Sequence, residues 1–351
     1  MIKIKDFFKV GPSSFLGIDI GTSVIKIVEL SQYGKRKKLD NYGQMQAVAM
    51  YEKPFRTFEK STLTVSSSDV VRAVTAILGE AKMKSKKAYF SIPDFSTFFT
   101  NFKLPGMTKD ELPNAVQYEA RQHIPLPLSE VVLDWQVVGQ KTINQKISDF
   151  NILLVAVPLE VIEQYRDIAK FSNLEMVALE AEVFGLVRAV IGNENKESAI
   201  LIDLGARSTT ISVVDAGVIK LSHSFDTAGN DFTSLIARAS NIDMAQAEEI
   251  KKKQGLQEAI MPMVDLIISE VKKISQNFYS NENKIASKII LAGGSALMPG
   301  LAGYFKEATG IDSEVASPFA NLYYPPILDQ TLKELGPSYA VALGAALRGL
   351  D

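Results

Sequence analysis

Two short stretches, more than half a chain apart, constrain what this sequence can fold into more than anything else in it. "FLGIDIGTSVIKIVEL" at 15–30 sets Asp19-Ile20-Gly21-Thr22-Ser23 between two apolar, mostly β-branched runs, and "AILIDLGARSTTISVVDAG" at 199–217 repeats the pattern around Asp203-Leu204-Gly205. Each stretch therefore predicts strand, tight turn, strand. Gly21 allows a positive φ, which lets successive N–H groups point to one side as a concave anion site, with the Thr22 and Ser23 hydroxyls as further donors. Asp19 would then face the metal ion that accompanies a phosphate. For either stretch alone an ordinary polar hairpin turn is the alternative. Two in register, each opening an α/β half, indicate two homologous domains with a phosphate hairpin apiece. A third glycine element, "IILAGGSALMPGL" at 289–301, runs a buried-type strand into Gly293-Gly294-Ser295 and then a helix. Backbone bare of side chains there admits a flat ring or a ribose, or makes a tight strand-to-helix turn and nothing more.

The chain of 351 residues is long enough for two domains or one elaborated α/β unit. A net charge of −2 exerts no global pull on nucleic acid or an anionic membrane. With no cysteine, disulfides, thiolate chemistry and Cys-ligated zinc are excluded, and His123 and His223 as the two imidazoles argue against a His-rich metal centre. The opening MIKIKDFFKVGPSS has no signal-peptide core, and no window holds the ~18 consecutive apolar residues of a membrane span, so the reducing cytosol is expected. Ile2, Ile4, Phe7, Phe8 and Val10 among three lysines pack onto their own domain or touch a membrane. Lysine-rich 35–38 and 82–87 read as solvated loops, with patches facing anionic lipid as the alternative.

Between the two hairpins, 39–51 reads as a third strand and Ser67-Ser68-Asp69 as the cap of a helix with Val70, Val71, Val74, Ile77 and Leu78 at helical spacing. Strands are expected at 87–93, 96–104, 131–138 and 150–157, and a helix from a Thr108/Glu111 capping box to His123, ended by Pro125 and Pro127. Residues 86–160 thus read as a β-β-α-β-β insert with its own small core. Pro158 opens the next helix.

Three glycine elements in this order resemble the actin-like ATPase superfamily, and 180–188 (EAEVFGLVR) and 338–347 (SYAVALGAAL) resemble its two interdomain connectors. Within it the whole chain is most similar to the type IV pilus assembly PilM family, a relative of FtsA, through "GIDIGTSVIKIVEL", "QYEARQHIPLPLSEVVLDWQV" at 117–137, "AQAEEIKKKQG" at 245–255 and "AGGSALMPGL" at 292–301. The resemblance implies two duplicated α/β domains around an interdomain nucleotide cleft: 1–85 plus 161–195 as subdomain 1A, 86–160 as an inserted, SHS2-like 1C, 196–337 as the second domain with 2B at about 227–285, and 338–351 as a connector helix returning to 1A.

It also implies ATP or ADP with magnesium. Asp19 and Asp203 would hold magnesium through water; Gly21, Thr22 and Ser23 would cradle phosphate, with the Lys26 ammonium near the β-phosphate. The turn Gly205, Ala206, Arg207 and Ser208 would close on the same phosphates, with Gly229 beside it. Glu248 would bind ribose hydroxyls and Lys251 lie by the adenosine, although as a pair one helical turn apart they equally suit a solvated helix face. Gly293, Gly294, Ser295 and Met298 would line the adenine side. Many members carry Gly-Gly-Thr where this chain has Ala206-Arg207-Ser208, which restricts backbone approach and implies slow turnover at most. Glu180 falls where the family often positions the attacking water, or is a helix-start carboxylate. The implied partners are the cytoplasmic tail of a PilN-like single-pass membrane protein, bound between 1A and 1C and holding the chain at the inner membrane, and other pilus proteins. Self-association stays open, and no nucleic acid is implied. An FtsA-like division filament protein is the alternative, although the chain shows no basic C-terminal anchor; an actin-fold small-molecule kinase is the second, against the compact insert.

Overall fold

The computed structural model describes residues 14–46, 67–143, 146–191 and 197–351. The amphipathic opening, 1–13, and the far end of the expected third strand lie outside them. The first hairpin forms as expected: β1 (Ser14–Ile20) pairs antiparallel with β2 (Val24–Tyr33), setting Asp19 opposite Lys26. β3 (Arg36–Gln46) extends the meander. Helix α1 begins at Ser67 and runs to Glu80, so its cap position falls outside the described residues, and it buries Val70, Ala73, Val74 and Ile77 on the sheet.

β4 (Lys87–Ile92) corrects the expected insert. It pairs parallel with β1, and its Phe90 is fully buried in the first domain's core. An apolar run such as KAYFSI reads as a strand in either sheet, and nothing local says which neighbour it finds. A short 3₁₀ turn, Asp94–Ser96, then leads out to the insert. There β5 (Phe98–Pro105), α2 (Leu112–His123), β6 (Val131–Ile143) and β7 (Lys146–Pro158) make a three-stranded sheet, ordered β5-β7-β6. Before α2 the Glu111 carboxylate accepts from the Thr108 N–H and hydroxyl, both at 2.8 Å, which is one half of the expected capping box. α2 buries Val116 and Ala120 against Phe102, Phe150 and Ile152. On the opposite face Val138 and Leu153 join a core shared between the domains, with Val183, Val214 and Ile219.

Pro158 caps α3 (Leu159–Phe171), and β8 (Glu175–Ala181) completes the first sheet, ordered β3-β2-β1-β4-β8. α4 (Glu182–Val190) then crosses to the second half. There β9 (Ser198–Leu204), β10 (Thr209–Asp215), β11 (Val218–Phe225), β12 (Lys288–Ala292) and β13 (Asp312–Val315) are ordered β11-β10-β9-β12-β13. Each sheet is an antiparallel meander of three strands followed by two parallel ones, so the duplication legible in the hairpins extends through ten strands. Helices α5 (Gly229–Ser240), α6 (Met244–Gln254), α7 (Met261–Glu282) and α8 (Leu301–Thr309) bury Phe232, Ile236, Val264, Val271 and Phe305 on this second sheet.

The last helix, α9 (Asp329–Leu347), starts well before the expected connector and carries Pro337 inside it. It packs backbone to backbone on its neighbours. A Cβ on Gly344 would stand 1.8 Å from the Gly185 carbonyl of α4, and one on Gly17 of β1 would stand 1.9 Å from the Ala342 carbonyl. Only glycine permits that approach, and it locks the two connectors together under the cleft.

Candidate functional site

The two hairpin turns sit at the carboxyl ends of β1 and β9 and have the same geometry. A Cβ on Gly21 would lie 2.9 Å from the Val24 carbonyl, and one on Gly205 2.8 Å from the Ser208 carbonyl. That contact explains both glycines. Neither adopts the positive φ expected of Gly21, and the residues of this kind are elsewhere, Gly293 at φ 88° among them. Asp19 is buried, takes the Ser91 hydroxyl at 3.2 Å, and faces the Lys26 ammonium across the hairpin at 3.5 Å.

Around the second turn the expected residues converge. The Gly229 N–H donates to the Gly205 carbonyl at 3.0 Å, and the Asn230 N–H to the Ala206 carbonyl at 2.8 Å, which seats the amino end of α5 against the turn. A Cβ on Gly229 would meet Ser295 Oγ at 2.3 Å and Lys251 Nζ at 3.5 Å. Lys251, 5% exposed, donates to the Gly229 carbonyl at 3.1 Å and to Thr233 Oγ1 at 3.0 Å, and pairs with Glu248 at 2.7 Å. This is no solvated helix face. Burial pulls the Lys251 pKa down. Burial alone would raise Glu248, but hydrogen bonds from Lys251 and Thr233 outweigh it and hold the carboxylate below its usual range. A Cβ on Gly293 would stand 2.5 Å from Asp203 Oδ1, and the Ser295 N–H donates to the Leu204 carbonyl at 3.2 Å. Gly294 is exposed, with nothing within 4 Å of where its Cβ would be. Turns occupy 293–300, and the helix expected directly after Ser295 waits until Leu301. Met298, at 5% exposure, sits in the second domain's core. Arg207 and Ser208 are partly exposed on the turn, as are Thr22 and Ser23 on theirs.

Between the turns lies a concentration of acids. Burial, then the charge of Asp19, pushes Asp203 up to about 6, against a lowering pull from Lys26. Burial, then the neighbouring charge of Asp203, raises Asp94 to about 7, although Thr210 and the Val183 N–H hydrogen-bond it. Glu182, at the first turn of α4, is raised by burial and by Asp19, Asp94 and Asp203. Asp94 and Glu182 were not singled out in the sequence. Asp94 stands three residues after Ser91, which is in register with Asp19, and Ser295 stands three after Ala292, which is in register with Asp203, so the repeat puts Asp94 where the second half has Ser295. Among the described residues no group of three or more acidic, His or Cys side chains is close enough to hold a metal ion directly.

Glu180 is elsewhere. Arg188 grips its carboxylate at 2.7 and 3.0 Å, and Arg348 adds a third contact at 2.7 Å. That ion-pair cluster ties β8, α4 and the end of α9 together and gives Glu180 the structural place that was the alternative to a catalytic one. The carboxylate next to the acids is Glu182, because β8 ends at Ala181 and α4 starts there, turning the second glutamate of Glu180-Ala181-Glu182 into the cleft.

Two duplicated α/β domains, hinged on paired connectors and facing each other with Asp-x-Gly turns, define the actin-like ATPase fold. MreB5 of Spiroplasma citri, solved with ADP, shares it at 14% identity and a TM-score of 0.51, over 95% of each chain. The family model of the type IV pilus assembly protein PilM matches residues 17–350, and the chain belongs to that family. A structure titled a PilM–PilN type IV pilus biogenesis complex superposes with a TM-score of 0.82 at 24% identity, covering 97% of this chain and all of that one. The cell division protein FtsA of Pseudomonas aeruginosa is 21% identical over 96% of this chain and 89% of its own.

Proposed function

We infer that this chain is a nucleotide-binding scaffold of type IV pilus assembly. The observation that carries it is the meeting of the Gly205 turn, Gly229, Ser295 and Lys251 within contact distance across from the Gly21 turn. ATP or ADP then lies in the cleft, with phosphates between the turns, ribose at Glu248 and Lys251, and purine over the open backbone of Gly294. The acids support a bound magnesium ion, since burial and neighbouring carboxylate charge raise Asp203, Asp94 and Glu182 alike, and a divalent cation relieves that repulsion. Asp19 and Asp203 would hold it through water. The ion would neutralise phosphate charge; Lys26 would bind phosphate, and Glu182 would orient a water. Turnover is slow at most, because Ala206 and Arg207 crowd the second turn.

The family and the PilM–PilN superposition support recruitment to the inner face of the cytoplasmic membrane by the short tail of a PilN-type protein. Its site in this reading is the junction of insert and first domain, where Phe95 and Val157 pack on the first core and Leu159 is 38% exposed. Deleting 86–160 would remove β4, an inner strand of the first sheet, so point variants are the proper test. A synthetic peptide of that tail, titrated into the full chain, should bind wild type and lose about tenfold or more with Leu159→Glu. Equal affinity in both would put the partner elsewhere. The FtsA likeness leaves a filament-forming reading that no contact among the described residues favours over the scaffold.

A further inference from the structure

The first sheet has a second pole, opposite in charge to the acid-lined cleft. Its strands' other end brings both lysine-rich stretches together. Lys37 and Lys38 are in register with Gln32 and Ser31, Ser31 pairs with Ser14, the Ser85 hydroxyl donates to the Ser14 carbonyl at 2.6 Å, and the Glu175 N–H donates to the Lys86 carbonyl at 2.7 Å. This edge is roughly 20 Å from the Gly21 turn, six strand residues away. Its shape is fixed from inside. Buried Glu29 accepts the N–H groups of Lys84 at 3.0 Å and Ser85 at 2.8 Å, which pins the backbone while Lys82, Lys84, Lys86 and Lys87 stay exposed.

Arg166 and Lys170 of α3 join Lys86, Asn173 and Glu175 around an open cavity of about 500 Å³. Some of the charge is answered locally: Lys38 pairs with Asp40 at 2.6 Å, Lys37 with Asp351, and Arg166 with Glu163; Glu80 and Glu175 also lie here. Lys82 and Lys170 follow or end helices, whose carboxyl ends favour cations. Lys35, Arg36, Lys84, Lys86 and Lys87 have no such reason, and none makes an ion pair among the described residues. Exposed aromatics flank them. Tyr33 and Tyr323 stack at 5.2 Å with 59% and 44% of their surface open, and Phe171 is 65% open beneath the Lys170 ammonium.

We propose that this basic edge docks on an anionic phospholipid membrane, with the aromatic rings at headgroup level and the cleft turned away from the bilayer. Unpaired cations beside half-exposed aromatics are the combination that an interface rich in anionic headgroups attracts. In a chain of net charge −2, five cations on one edge without an ion pair among the described residues suit a local contact with an anionic surface. The test uses the full chain without a partner peptide, so its outcome stands apart from that of the peptide titration.

Co-sedimentation is measured with vesicles of phosphatidylcholine alone and of phosphatidylcholine mixed equally with phosphatidylglycerol. Wild type should bind the mixed vesicles, release them in high salt, and ignore the neutral ones. Lys84→Glu/Lys86→Glu/Lys87→Glu should weaken binding by about tenfold or more, while Lys272→Glu/Lys273→Glu/Lys306→Glu, an equal charge change on the second domain, should stay within about twofold. If the first triple variant does not fold, as judged by circular dichroism, Lys35→Glu/Arg36→Glu at the hairpin tip carries the same expectation. No binding by wild type, equal binding to neutral vesicles, or equal losses in edge and control variants would overturn the proposal. Retardation of duplex DNA lost with the edge variants, with vesicle binding intact, would make the edge a nucleic-acid surface instead.

Discussion

The two hairpins have one geometry and two electrostatic designs. In the first, Lys26 stands opposite Asp19 in the register and pairs with it at 3.5 Å, so the carboxylate's charge is answered from within its own hairpin. In the second, Thr210 stands opposite Asp203, so no cation faces it across its own hairpin, and burial and the charge of Asp19 lift it to about 6 against a pull from Lys26 of the first hairpin. Duplication has preserved the backbone and redistributed the charge: the first half sets a cation opposite its aspartate, and the second sets none there. The strand ends that follow differ in the same way, Asp94 in the first half against Ser295 in the second.

The largest effect should come from the pair Glu182→Gln and Glu180→Ala, which separates chemistry from architecture. Glu182→Gln should lower steady-state phosphate release, itself under about 1 s⁻¹, by about 10²-fold with the fold unchanged. Glu180→Ala should take from Arg188 and Arg348 their shared carboxylate, leaving Arg188 the Gly344 carbonyl and a longer contact with Asp351 at 3.9 Å, and cost about 2–3 kcal/mol in denaturant unfolding, less than a fully buried pair because Arg348 is partly exposed. A rate loss confined to Glu180→Ala would reverse the two roles.

A smaller effect concerns Asp94. Its pKa of about 7 in the fold exceeds the ordinary 3.8, so between about pH 4 and 7 the native chain keeps a proton that the unfolded chain has released. Stability from this group is therefore full at low pH, falls as pH rises through that window, and is flat above it. Asp94→Asn should unfold at higher urea than wild type at pH 8, by of order 2–3 kcal/mol, with the gap closing toward pH 4. The same offset at both pH values would mean that Asp94 is already compensated.

How much of this was legible follows from where each signal resides. The hairpins were readable because Asp-x-Gly between β-branched runs is a local pattern, and their recurrence announced the duplicated fold. Glu248 and Lys251 needed the family resemblance, since their spacing alone fits any charged helix; Thr233, which joins them, lies one helical turn after Gly229 and carried no signal of its own. Asp94 and Glu182 were invisible for a physical reason: their importance is tertiary, set by the 3₁₀ turn after β4 and by the residue at which β8 gives way to α4. The same cause moved β4 out of the insert, because partner choice in a sheet is not written in six residues.

If the two turns and the Gly293-Gly294-Ser295 segment enclose one nucleotide, the open backbone between them must stay bare. Gly294 tests it most directly, because a side chain there meets open space and not protein. Titration of a fluorescent ATP analogue with magnesium should show binding to wild type, weakened by about tenfold or more in Gly294→Val, with the melting temperature of the apo protein unchanged. Wild-type affinity in a stably folded Gly294→Val, repeated in Asp19→Ala, would put the nucleotide elsewhere.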